Sequence, residues 1–342
     1  LFLVQLITEL LTKGKASRSP CTDIMSSAPI KAVTNTFRQR FNTVPKSITK
    51  WFPTHMYTGM KDMQRKLKSV DCILELHDAR APLSGRNPNF LSMLAAIKPH
   101  VLLLNKADLA DPEGKDVVLQ RLRTEGTQHT LFIRSTDPPR NVDKIVPLVA
   151  DLIRNSERYN RLEEYDYNIM VIGIPNVGKS SLINTLRKMH LGKGGQATRV
   201  GAKAGVTMSV LERIKISQVP SIYLLDTPGI LSPATDDPQV ALQLALCGCM
   251  LDHLVGPVLM ADYLLFWLNQ RHNYSYVDYL GLDEPCDDIR LVLYKTAINL
   301  KAVQRVRTYE GWTIRANQES AATNFIQGFR RGLLGKITFL PD

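Results

Sequence analysis

The sequence predicts an α/β fold, a doubly wound and mostly parallel sheet, followed by a mainly helical C-terminal domain. Three observations carry that expectation. Short apolar runs alternate with helix-length amphipathic segments, as strands joined by crossover helices do. Three short ligand-binding motifs each follow one of those apolar runs, where open α/β sheets bind ligands. Beyond the last motif come further helix-length segments with no motif among them.

In chain order, residues 70–76 (VDCILEL) read as a strand feeding the loop His77-Asp78-Ala79-Arg80, and residues 101–104 (VLLL) as a strand buried on both faces. Residues 131–133, 168–172, 210–216 and 221–225 are further strands, with helices expected over 116–125, 142–158 and 179–188. After the sheet, residues 240–251 and 258–269 read as helices with broad apolar faces. Residues 290–306 and 322–334 read as amphipathic helices, the second capped by Gly335. The expected organisation is therefore residues 1–24 unassigned, 25–50 a targeting-like segment, 51–235 the motif-bearing domain and 236–342 the helical domain.

The motifs specify a guanine-nucleotide site. GIPNVGKS (residues 173–180) follows a strand and opens a helix, the context that makes a phosphate loop. Its backbone N–H groups and the helix N-terminus face the phosphates, drawn from Asn176, Val177, Gly178, Lys179, Ser180 and Ser181. Lys179 would bridge the β- and γ-phosphates and Ser180 would ligate Mg2+. NKAD (Asn105, Lys106, Ala107, Asp108) selects the base, because the Asp108 carboxylate can accept from N1–H and the 2-amino group of guanine. Ser135 and Thr136, after the next strand, sit where a backbone N–H would meet guanine O6. DTPG (residues 226–229) places Asp226 toward Mg2+ and the Gly229 N–H at the γ-phosphate, while Thr207 is the first-switch hydroxyl for the metal. GTP and GDP are thus the expected ligands.

The motif order is rotated: NKAD precedes the phosphate loop, which precedes DTPG. The ordinary order runs from phosphate loop to NKxD, so the domain reads as a circularly permuted P-loop GTPase domain. Termini that lie close together make such rotation tolerable. One consequence is that the chain leaves DTPG directly for the helical domain, tying the second switch to it.

Position 230 holds Ile, where Ras-like enzymes place a Gln that orients the attacking water. Asn176 is one group that can compensate, by holding K+ beside the phosphates. His55, a lone histidine beside Trp51 and Phe52, reads from the residues alone as structural.

Composition bounds the rest. The chain has 342 residues, 44% of them hydrophobic, enough for a substantial core. The longest uncharged apolar-rich run, residues 238–251, is shorter than the roughly 20 residues a bilayer span needs. Five scattered cysteines argue against a disulfide framework. The Cys247–Cys249 pair with His253 has the wrong spacing for structural zinc and reads as core packing.

The formal charge of +11 is concentrated. Residues 25–68 carry nine Lys or Arg against one acid, 187–215 seven against one, and 290–342 nine against three. That pattern favours a polyanion partner, RNA above all. The stretch from Met25, Ser-rich and free of acids until Asp62, reads as a mitochondrial transit peptide. The chain opens on Leu1, and residues 1–24 read as a fragment end or an over-extended start.

WFPTHM (residues 51–56), DARAPLSGRNP (residues 78–88), NKAD, GIPNVGKS and DTPG in this order resemble the circularly permuted ribosome-assembly GTPases. The resemblance is greatest to the mitochondrial ribosome-associated GTPase 1 branch and runs from Trp51 to the C-terminus. It implies a GTPase acting on a late intermediate of the mitochondrial large ribosomal subunit, bound in the GTP state and released on hydrolysis. It also implies a C-terminal domain that contacts RNA, and a matrix location peripheral to the inner membrane. The alternative is a GTP-gated RNA-binding scaffold or translation regulator with little intrinsic hydrolysis. His55 is implied as the hydrolytic residue, alongside Asn176, Lys179 and Gly229; Thr54 stands where the family motif has Gly.

Overall fold

The computed structural model describes residues 37–41, 67–86, 98–158, 161, 163–192, 213–226, 237–308 and 311–340, all within one compact unit, Phe37–Asp342. Six strands form the main sheet: β1 (Cys72–Asp78), β2 (His100–Asn105), β3 (Thr130–Phe132), β4 (Tyr167–Gly173), β5 (Arg213–Ser217) and β6 (Ile222–Asp226). Their order is β3-β2-β1-β4-β6-β5, parallel throughout except that β5 runs antiparallel to β6. Every residue of β1 is buried, as is every residue of β2 after His100, which is why these strands read as near-continuous apolar runs.

The chain builds outward from β1 to β3 and returns on the other side of β1 with β4. The strand order reverses between β1 and β4, so the crevice at their C-terminal ends is the natural ligand site. Register brings Leu76 opposite Gly173 and Asp78 opposite Asn105, which sets the base loop beside the phosphate loop.

Helices α1 (Lys115–Thr124), α2 (Ile145–Arg154) and α3 (Lys179–Leu191) accompany the sheet. In α2 the buried residues are Ile145, Val146, Val149, Ala150 and Ile153, one apolar stripe at helical spacing. Pro147 falls in its first turn, where a missing N–H costs nothing.

A helical layer follows: α4 (Pro238–Leu246), α5 (Asp252–Val255), α6 (Pro257–Gln270), α7 (Ser275–Leu280), α8 (Ile289–Asn299) and α9 (Gln318–Arg330). Asp237 caps α4, Asp288 caps α8 and Asn317 caps α9, each side chain accepting from a first-turn N–H. One contiguous core runs from Leu74, Leu76 and Val171 of the sheet through Leu182 and Ile183 of α3 to Leu264, Leu265, Phe325 and Phe329 of α6 and α9. Among the described residues, no helix is long and apolar enough to cross a membrane.

Several helices end earlier than expected: that over 142–158 ends at Arg154, that over 240–251 ends at Leu246, and two more end early near the C-terminus. The helix expected over 290–306 stops at Asn299, and a two-stranded hairpin of β7 (Val303–Thr308) and β8 (Gly311–Ala316) follows. Lys301 takes a left-handed backbone (φ 53°) and the Ala302 N–H bonds back to Ala297, which ends the helix. The β-branched Val303, Val306 and Thr308 then prefer the extended pairing.

The last helix ends at Arg330, not Leu334. Gly332 (φ 76°) and the Leu333 N–H to Gly328 carbonyl bond close it, so Gly332 takes the capping role expected of Gly335.

Phe37–Phe41, inside the stretch expected to be targeting-like, is packed into the helical layer. Phe41 is buried edge-on against Tyr263 (5.3 Å between centroids) and also meets Phe266. The Arg38 guanidinium bridges Asp262 at 2.8 Å and Asp287 at 3.1 Å, and its carbonyl accepts from Gln270.

Candidate functional site

The phosphate loop joins β4 to α3. Two of its glycines are sterically required. A Cβ on Gly173 would lie 2.3 Å from the Leu76 carbonyl oxygen, and one on Gly178 (φ 103°) would lie 2.4 Å from Asn105 Nδ2. Gly178 is the N-cap residue of α3, so the positive end of the helix, with Lys179, Ser180 and Ser181 in its first turn, lies at the phosphate loop. The Lys179 ammonium is buried inside the loop and donates to the carbonyls of Gly173 and Ile174, both at 3.0 Å. This holds a cation within the loop's curl, where it would meet phosphate oxygens.

Asn176 has a left-handed backbone (φ 59°), and its Nδ2 donates to the Gly248 carbonyl at 2.8 Å. Gly248 follows α4, so this bond carries the phosphate loop to the helical layer.

The base loop is knitted to the phosphate loop by Asn105. Its Nδ2 donates to Ser135 Oγ (2.9 Å) and to the Val177 carbonyl (2.7 Å), and its Oδ1 accepts from the Ser135 N–H (3.0 Å). One buried amide therefore spans three loops. The Ala107 N–H to Ile133 carbonyl bond and the Thr185 hydroxyl to Ser135 carbonyl bond complete the frame.

Lys106 (φ 59°) sends its ammonium to Asp78 Oδ2 at 2.9 Å. Asp108 is partly exposed at the pocket rim, 3.6 Å from Arg134 Nε, and Arg134 also donates to Thr136 Oγ1.

Asp78 and Arg80 extend the electrostatics inward. Burial disfavours the Asp78 carboxylate, but Arg80 and Lys106 outweigh it and hold its carboxyl well below the usual range. Cys249 lies in reach of the same cations, yet burial pushes its thiol up to about 12. It is a packed, protonated thiol and not an activated one.

Ser180 lies in the first turn of α3, and Asp226 ends β6, opposite Val171 of β4 in the sheet register. His55, Thr207, Gly229 and Ile230 lie outside the described residues.

Sequence reasoning assigned no site role to three residues that the structure ties to the loops: Asp78 and Arg80, read only as a loop and part of the DARAPLSGRNP motif, and Gly248, read only within an apolar helix. The Asp-Ala-Arg spacing at a strand end was a legible sign of a local ion pair; the Asn176–Gly248 contact spans 72 residues and had none.

The family described as 50S ribosome-binding GTPase matches residues 168–286. A curated relative from Aedes aegypti, Mitochondrial GTPase 1, is 50% identical over 91% of this chain and 99% of its own. Mitochondrial ribosome-associated GTPase 1 of Bos taurus is 46% identical over 91% of this chain and 94% of its own. Among solved structures, GNP-bound YlqF from T. maritima matches with TM-score 0.52 at 19% identity, covering 82% of this chain and 97% of that one. That likeness concerns the fold.

Proposed function

The chain belongs to the family of mitochondrial ribosome-associated GTPase 1, and from that premise we propose that it is a GTP-hydrolysing assembly factor for the mitochondrial large ribosomal subunit. In this reading it binds a late intermediate in the GTP state and leaves on hydrolysis. The observation that carries the nucleotide part is the Asn105 amide, which ties base loop and phosphate loop into one pocket at the sheet's switch point.

Asn105, Lys106, Ala107, Asp108, Ser135 and Thr136 take the base; Asn176, Val177, Gly178, Lys179, Ser180 and Ser181 take the phosphates. Ser180, Thr207 and Asp226 would hold a Mg2+ that offsets phosphate charge. Asn176, whose Nδ2 donates to the Gly248 carbonyl, would hold K+ beside the phosphates. Gly229 and His55 would complete the chemistry from the second switch and the WFPTHM segment.

The partner is read from the chain's basic segments and from the relatives' names. Domain organisation follows the same reading, with residues 51–235 as the nucleotide domain and 236–342 as the ribosome-contacting helical domain. Location in the matrix, peripheral to the inner membrane, rests on the transit-like stretch from Met25 and the mitochondrial relatives. Because Phe41 is part of the packed core, import processing that preserves the fold has to fall before Phe37.

Sedimentation of the tagged full chain through sucrose gradients with GTP, GDP or a non-hydrolysable analogue tests the main reading. Co-migration with large-subunit particles in the analogue but not in GDP is expected. Co-migration indifferent to nucleotide would point instead to a scaffold, and none at all would remove the ribosomal partner. Fusion of residues 25–50 to a fluorescent reporter should direct it to mitochondria; a diffuse signal would remove the targeting role.

A further inference from the structure

We propose that Asp78 is a positioning residue of the base pocket, holding Lys106 in place for guanine and, through Arg80, joining that pocket to α9 of the helical layer. The proposal rests on the reading that the NKAD loop takes guanine.

Lysine is a poor platform when left to itself, because its four-carbon stem samples many rotamers. Here the ammonium is tethered to a carboxylate that is 1% exposed, while the Lys106 side chain keeps 27% of its surface exposed. A stem fixed at both ends presents its methylenes as a flat apolar surface. The left-handed backbone at Lys106 is unusual for a residue with a side chain, and it persists only where the surroundings over-determine it.

The anchor is itself immobilised. Arg80 Nε donates to Asp78 Oδ1 at 2.9 Å, Nη2 to Oδ2 at 2.8 Å, and the Arg80 backbone N–H to Oδ1 at 3.0 Å. A planar guanidinium gripping a planar carboxylate leaves little freedom in either. The face of that guanidinium lies 4.7 Å from the centroid of the Phe329 ring on α9. Nη1 reaches the Phe329 carbonyl at 3.5 Å, and the Arg80 carbonyl accepts from the Phe339 N–H at 2.6 Å. The Ala79 N–H to Asn105 carbonyl bond (2.7 Å) binds the same turn to the base loop. Base platform, buried ion pair and α9 thus form one unbroken chain of contacts.

Pre-ordering Lys106 lowers the ordering cost of seating the base, in substrate and transition state alike. Loss of the tether should therefore raise KM and the Kd for GDP together while kcat is retained. A residue with a merely structural role would not give that split, nor would it lose its effect when Lys106 is removed.

The experiment is a double-mutant cycle on the full chain, reading GDP Kd, KM and kcat. One arm is Lys106→Met. The other is Asp78→Asn with Arg80→Met, which removes both buried charges so that neither is stranded. Each arm alone should raise the GDP Kd about tenfold, and the combination should match Lys106→Met alone. Additive losses would overturn the tether. If Lys106→Met leaves GDP affinity unchanged, the guanine-loop reading itself fails, a separate result. For the α9 link, and as a milder variant, Phe329→Leu should raise the GDP Kd about threefold with Lys106 present and not at all with Met there. An equal rise in both backgrounds would overturn that link.

Discussion

The base loop and the phosphate loop share one crevice but are braced from different directions. The base loop is held by a buried cluster, in which Asp78 fastens Lys106 and is gripped by Arg80, whose guanidinium stacks on Phe329 of α9, while Asn105 fastens Ser135 and ties the loop to Val177 of the phosphate loop. The phosphate loop reaches away from the sheet, Asn176 donating to Gly248 in the helical layer. Buried bonds within one element cluster make a rigid recognition surface, since each unmade bond would carry a full desolvation cost. A hydrogen bond across to another layer is instead a point where motion on one side is felt on the other. Base choice and turnover are therefore expected to respond to different substitutions.

The largest expected effect is on the base side. Asp108→Asn should lower GTP affinity on the order of 1000-fold and favour xanthine nucleotides, whose 2-oxo group suits an amide donor. Competition binding with GTP, XTP and ATP checks it, and equal wild-type affinity for ATP and GTP would dissolve the base-side reading.

Asn105→Ala tests whether the two loops are one unit. It removes three hydrogen bonds at a buried site, which should cost about 3 kcal/mol of folding stability in denaturant titration. A loss well under about 1 kcal/mol would mean the loops are held independently.

On the phosphate side, Asn176→Ala should act on rate more than on affinity. A fall in kcat of about 100-fold, equivalent to about 2.7 kcal/mol, is expected in potassium buffer. Wild-type rates identical in sodium and potassium would remove the cation from the account. His55→Ala should lower large-subunit-stimulated turnover; full stimulated turnover would return His55 to a structural role.

The smallest effect sharpens the contrast. Arg134 stands 3.6 Å from Asp108 with both side chains about a third exposed. Arg134→Ala should shift GTP affinity by less than about fivefold, with the difference vanishing at high salt. A large, salt-independent loss would mean that the rim of the pocket is closed and that Arg134 touches the nucleotide.

The elements that carry the site were legible because their signals are local. Leu102, Leu103 and Leu104 are apolar in succession because a central parallel strand is buried on both faces. Gly178 and Lys179 sit where a strand turns into a helix, and that spacing alone defines a phosphate loop. The rotated motif order likewise belongs to the chain and needs no coordinates.

Where the reading faltered, competing local preferences were close in strength. Val303 to Val306 fits an amphipathic helix and a β-branched strand equally, and pairing with Gly311–Ala316 decided between them. Gly332 and Gly335 are equivalent capping residues until the backbone closes on one of them.

The sequence by itself determined the fold class, the nucleotide motifs and their permuted order, because backbone sterics and apolar periodicity act over a few residues. Tertiary structure alone decided that Phe41 packs against Tyr263, that Asn176 leans on Gly248, and that Lys106, Asp78, Arg80 and Phe329 line up. Those contacts join residues up to 249 positions apart. Such pairings come from the packing of whole layers, and no local pattern encodes them.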